Sequence, residues 1–205
     1  MLDFKRPGGT SRGVLHQKET FFLVIRSNIK IGVGECGLFR GLSYDDRPEY
    51  EAKLQWVCDN INAEQVSLYR ELKAFPSIQF GLEQALVSLN SINKFELFPS
   101  NFSKGLDRIP INGLVWMGDE DFMNEQISNK LKEGYTTLKI KIGAIDFSTE
   151  LDILKRIRNQ YDASELELRV DANGAFSKEE VYGKLDKLVP FTIHSIEQPI
   201  KAGQV

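Results

Sequence analysis

Five residues have the types and spacing to do chemistry together: Lys139 and Lys141 in LKIKIG, Asp171 and Asn173 in VDANG, and Glu197 before Gln198-Pro199. Singly each pattern is ordinary, since Lys-x-Lys is usually a solvated strand face and Asp-x-Asn-Gly a turn. Together they are not. Two carboxylates with an amide oxygen nearby are hard oxygen donors of the kind that hold Mg²⁺, with Mn²⁺ the alternative ion, and leave positions for water or a small-molecule carboxylate substrate. Removing a proton beside a carboxylate builds further negative charge on its oxygens, and a divalent ion there is the Lewis acid that stabilises it. A lysine serves as the base if its pKa falls from about 10.4 toward 7 or 8. Side chains at i and i+2 of a strand share a face about 6.6 Å apart. Like charges at about 7 Å repel by roughly 2.4 kcal/mol at an effective dielectric near 20, so the lysine pair supplies part of that shift.

The spacing places these residues on a repeating scaffold. Lys141 to Asp171 is 30 residues and Asp171 to Glu197 is 26, close to the period of about 31 of an eight-unit barrel of about 250 residues. Strands are expected over 109–116, 137–142, 166–171 and 193–197, with helices over 120–133, 147–161 and 178–188 between them. Such alternation implies parallel strands joined by crossover helices, in a doubly wound sheet or a (β/α) barrel. Open parallel strands covered on both faces are apolar throughout. Here Lys139, Lys141, Arg169 and Asp171 alternate with Leu138, Ile140, Ile142, Leu168 and Val170, which favours a barrel whose active groups sit at the C-terminal strand ends.

The first half has a different grammar. Residues 20–36 are rich in β-branched and aromatic residues and break at Ser27-Asn28, which predicts an antiparallel pair. Helical spacing follows over 47–60 (Leu54, Val57, Cys58, Ile61) and 77–93 (Phe80, Leu82, Ala85, Leu86, Leu89). The expected organisation is an α+β domain over 1–105 and the N-terminal part of an α/β barrel, about four strands, over 106–205. Gly32-Val33-Gly34-Glu35-Cys36-Gly37 satisfies G-x-G-x-x-G, but it closes a hairpin instead of opening a helix in a parallel βαβ unit. That argues against a nicotinamide-dependent oxidoreductase and for glycines that serve a strand.

Composition narrows the class. A net charge of −3 with scattered Lys and Arg offers no basic face for a nucleic acid. The longest apolar run, Phe21 to Ile25, is far short of the roughly 20 residues of a membrane span, and the start lacks a signal-peptide stretch, so a cytoplasmic protein is expected. Cys36 and Cys58 match no metal-binding spacing and read as reduced hydrophobes.

At Lys139-x-Lys141, Asp171-x-Asn173 and Glu197 the sequence resembles the enolase superfamily, in the muconate-lactonizing-enzyme branch with Lys-x-Lys on its second barrel strand. The resemblance implies Lys141 as the base that takes the α-proton, Lys139 as its electrostatic neighbour, and Asp171 and Glu197 as Mg²⁺ ligands with Asn173 near the metal. It also implies Arg169 facing the same interior as a candidate substrate contact. Gly34-Glu35 resembles the Gly-x-Gly-Glu of the superfamily's capping domain. The run from Gly8 to Gly13 sits where that domain's mobile specificity loop belongs, which makes Ser11 and Arg12 candidate substrate contacts. The runs GTSRGVL, GECGLFRGLS, INGLVWMGD and KIKIGAIDF are most similar to the o-succinylbenzoate synthases of menaquinone biosynthesis. Those hydro-lyases make 2-succinylbenzoate by proton abstraction and syn elimination of water. N-acylamino acid racemases and dipeptide epimerases share the same ligands and lysine pair, and remain the alternative.

In that superfamily a third metal ligand and an opposing lysine follow on the fifth and sixth strands, which places the ligand near position 225 at the same period of about 31 residues. The expectation is therefore that the 205-residue chain is catalytically incompetent by itself, a fragment with an unfinished barrel and unpaired strand edges.

Overall fold

The computed structural model describes residues 1–10 and 13–204, with the side chains of 9 and 10 left aside. The chain divides into two compact units, Met1–Gly8 with Val14–Ile109, and Pro110–Val205. In the first, strands β1 (Leu2–Thr10) and β2 (Gly13–Lys18) form one two-stranded sheet, and β3 (Phe21–Ser27) and β4 (Lys30–Cys36) form another. The β3–β4 pair is antiparallel from Phe21↔Cys36 to Ser27↔Lys30. It turns on Asn28, whose φ of 53° suits the left-handed conformation that asparagine tolerates. Helices α1 (Tyr50–Asp59), α2 (Gln65–Glu71) and α3 (Pro76–Asn90) follow.

α3 lies against β4 because glycines let it. A Cβ on Gly34 would stand 1.8 Å from the Gly81 carbonyl oxygen, one on Gly32 2.1 Å from that of Ala85, and one on Gly81 2.3 Å from Cys36 Sγ. The G-x-G pattern is thus a helix-packing surface within a strand. Leu54, Val57, Leu82 and Ala85 are buried here as the helical spacing predicts, whereas Phe80 is exposed and Cys58 is exposed with a free thiol. α3 begins under the buried Asp45, whose Oδ2 accepts from the Ser77 N–H (2.8 Å) and Ser77 Oγ (2.7 Å). That satisfies donors the helix start leaves open.

The second unit carries the alternation expected of it: β5 (Gly113–Val115), α4 (Glu120–Lys132), β6 (Thr137–Lys141), α5 (Phe147–Gln160), β7 (Glu167–Asp171), α6 (Val181–Leu188), a 3₁₀ turn (Val189–Phe191) and β8 (Ser195–Glu197). All strand pairs are parallel, in the order β5-β6-β7-β8. Neighbours in space are therefore neighbours in sequence, as in a barrel and unlike a doubly wound sheet, whose order reverses. β5 is shorter than the expected 109–116 because Pro110 has no N–H to give a ladder; Ile109 and Ile111 are exposed. Asp119 caps α4 (Oδ1 to Phe122 N, 2.8 Å) and Asp146 caps α5 (Oδ2 to Ser148 N, 3.0 Å). Leu138, Ile140, Leu168 and Val170 pack with Met123 and Ile127 of α4, Ile153, Leu154 and Ile157 of α5, and Val181 and Leu188 of α6. The helices thus take one face of the sheet, and the opposite face is left for polar residues. Among the described residues no helix is long and apolar enough to cross a membrane.

Candidate active site

The sheet register assembles the polar face. Lys139 pairs with Arg169 and Arg169 with Ser195; Lys141 pairs with Asp171 and Asp171 with Glu197. With side chains alternating along each strand, all six lie on the face away from the helices. The ends of β7 and β8 are held together beyond the strands: Ala172 N donates to Glu197 O (3.0 Å), Gly174 N to Gln198 O (2.7 Å) and Phe176 N to Pro199 O (3.1 Å). Three residues with positive φ, Asn173 (46°), Gly174 (74°) and Gln198 (42°), bend the chain there.

Asp171 is the centre of the cluster. It is only 1% exposed, and its Oδ2 faces both lysines, Lys139 Nζ at 3.1 Å and Lys141 Nζ at 3.2 Å. Its Oδ1 accepts from Asn173 N (3.0 Å) and Asn173 Nδ2 (2.7 Å). Burial pushes the Asp171 carboxyl up; Lys139, the Asn173 N–H and Lys141 outweigh that and hold it below the usual carboxylate range. Lys139 also binds Glu197 Oε2. The Glu197 contact, with that of Asp171, raises Lys139 above its ordinary value against the effect of burial. The expected mutual depression of the lysine pair is thus opposed, for Lys139, by the carboxylates that each ammonium faces.

Lys141 Nζ is bounded by Asp171, by Asn173 Oδ1 at 2.7 Å, and by the Trp116 indole, whose centroid lies 5.7 Å away. The Asn173 amide oxygen therefore faces Lys141, and its nitrogen faces Asp171. Arg169 lies on the same face, but its guanidinium is held by Glu167 Oε1 (Nη2 at 2.6 Å, Nε at 2.7 Å). Ser11 and Arg12 lie outside the described residues. Glu35, in the first unit, accepts from Lys18 Nζ (3.0 Å) and Thr20 Oγ1 (2.8 Å), which lowers its carboxyl below the usual range, Lys18 contributing most. Trp116 is absent from the residues picked out in the sequence. Its signal was the alternation Leu114-x-Trp116, which puts it on the face of Lys139 and Lys141.

The donor set fits a hard divalent cation in type and in convergence. Asp171 Oδ2 and Glu197 Oε2 already share one positive charge, the Lys139 ammonium, and oxygen donors around a cation are what Mg²⁺ requires. The carboxylates number two, and among the described residues no three His, Cys, Asp or Glu side chains gather into a metal site.

Residues 123–205 match the family model described as enolase C-terminal domain-like. The o-succinylbenzoate synthase of Desulfotalea psychrophila is 41% identical over 99% of this chain. Over residues 123–205 the chain thus carries an enolase-type C-terminal domain signature, and over nearly its whole length it is similar to an o-succinylbenzoate synthase. It spans 64% of that relative's length. The crystal structure of MenC from Desulfotalea psychrophila superposes with a TM-score of 0.80 at 35% identity, covering 97% of this chain and 64% of that one. The o-succinylbenzoate synthase of Thermosynechococcus elongatus, solved with Mg in its active site, has a TM-score of 0.76 at 22% identity over 99% of this chain and 60% of that one. At that identity it speaks for the fold alone. Dipeptide epimerases are more distant relatives.

Proposed function

We propose that the protein to which this chain belongs is an o-succinylbenzoate synthase, a hydro-lyase that converts 2-succinyl-6-hydroxy-2,4-cyclohexadiene-1-carboxylate to 2-succinylbenzoate in menaquinone biosynthesis. The observation that carries the reading is the cluster of Lys139, Lys141, Asp171 and Glu197 on one sheet face, in a chain 41% identical to a synthase. The greater identity and coverage of that relative favour the synthase over an epimerase acting on dipeptides.

In this reading Lys141 Nζ takes the proton from the carbon that bears the substrate carboxylate. The C–H electron pair moves onto that carboxylate, then returns into the ring as the C–O bond to the hydroxyl breaks. Lys141 gives its proton to the departing hydroxide, so one group is first base and then acid on the same face, and water and an aromatic ring are the products. Asn173 and Asp171 aim the lysine through the contacts described above. Asp171 and Glu197 would hold Mg²⁺, which when bound neutralises the growing charge on the carboxylate. Lys139, which faces both carboxylates, would add its charge on the same face. The reaction is that of a cytoplasmic enzyme with a small carboxylate substrate.

Replacing Lys141 by Ala in the full-length protein should lower kcat by about 10²- to 10⁴-fold while Mg²⁺ binding, read by calorimetry, stays unchanged. Turnover at the parent rate would refute the assignment. Racemisation of an N-acylamino acid or epimerisation of a dipeptide by the parent, without dehydration, would transfer the protein to the alternative class.

A further inference from the structure

β5 ends at Val115, and Trp116 is the first residue past its ladder. Its backbone N–H and C=O are nevertheless both hydrogen-bonded. Gln126, on α4, accepts from Trp116 N with Oε1 (3.0 Å) and donates from Nε2 to Trp116 O (3.1 Å), so one side-chain amide stands in for a neighbouring strand. The same Nε2 reaches Phe122 O at 3.3 Å, which fixes the amide's own orientation. The clamp continues the β5 register, in which Leu114 lies beside Lys139, and so sets Trp116 beside Lys141.

The indole is anchored but not buried: Trp116 remains 43% exposed, with its ring over the Lys141 ammonium at 5.7 Å from the centroid. The other groups around that ammonium, Asp171 and Asn173, are polar. A ligand ring brought to the Lys141 ammonium comes within reach of the indole that lies over it. The substrate reading above supplies such a ring, a puckered cyclohexadiene that becomes planar and aromatic as water leaves. Offset stacking on an indole suits that product better than the puckered substrate.

We infer that Trp116, pinned by Gln126, is a ligand-binding residue whose indole forms the wall against which the unsaturated ring of the substrate and product stacks. The inference rests on the synthase reading. Gln126 acts through Trp116 and is a positioning residue.

The test uses the full-length protein loaded with Mg²⁺ and labelled with 5-fluorotryptophan, the Trp116 resonance being assigned by its loss in Trp116→Phe. Titration with 2-succinylbenzoate should move that resonance with the same Kd that calorimetry gives. Trp116→Phe should keep product affinity within about threefold, whereas Trp116→Leu should weaken it by about three- to tenfold. Gln126→Leu should broaden or split the Trp116 resonance. Product that binds by calorimetry while the resonance stays still, or equal affinity in the Phe and Leu variants, overturns the inference and leaves the synthase reading standing. Product that does not bind the parent at all overturns both.

Discussion

Asp171 shows how a buried carboxylate is kept charged. Its pair of oxygens is divided, Oδ2 to two ammonium groups and Oδ1 to two N–H donors of Asn173, and those contacts outweigh the desolvation cost. Glu150 shows the opposite balance. It is 2% exposed; Oε1 accepts from Gly143 N (2.6 Å) and Ala144 N (3.3 Å), while Oε2 is buried without a partner. Burial raises its pKa above the ordinary 4.5 despite the backbone donors of 143–145 and the charge of Lys184. A carboxyl raised in the folded state holds its proton longer than in the unfolded chain, so it subtracts stability as pH rises from about 4.5 through the raised value, and the penalty persists at neutral pH. Glu150→Gln keeps the acceptor for Gly143 and removes the charge. It should raise the thermal midpoint at pH 7 and lose that advantage near pH 4; an equal effect at both would sink the account.

At the scale of elements, much was legible. The positions of β6, β7, α4 and α5 follow from alternation and helical spacing, because one face of each packs on a shared core and the pattern records it. β1, β2 and α2 were not anticipated. β1 and β2 are largely exposed and so carry no burial pattern to read, while α2 is only seven residues with Leu68 alone buried. The glycines of β4 were visible but their purpose was not, since it depends on α3, some 50 residues away. Gly34→Ala meets backbone rather than a movable side chain, so the helix must shift. A destabilisation of about 2 kcal/mol or more is expected in urea unfolding, and a variant as stable as the parent would show that α3 and β4 are not this close.

For the whole molecule, the sequential strand order and the one-sided helices establish barrel architecture over residues 113–197. Two carboxylates gather here, and hard divalent ions bind more weakly as ligand charge falls. Replacing Glu197 by Gln in the full-length protein should therefore weaken Mg²⁺ binding and slow dehydration. Calorimetry and the change in ultraviolet absorbance on aromatisation check both points, and full turnover by that variant would contradict the expectation.

The sequence alone singled out the candidate residues and the strands that bear them, because residue type, period 2 and a repeat near 30 are local properties of the chain. Only the tertiary structure decided how they meet: that Lys139 bridges Asp171 and Glu197, that Asn173 faces Lys141, and that Gln126 sets Trp116 beside Lys141. Those contacts join residues 10 to 58 positions apart. They depend on strand register and on the angle at which α4 packs, and neither is written in any single segment.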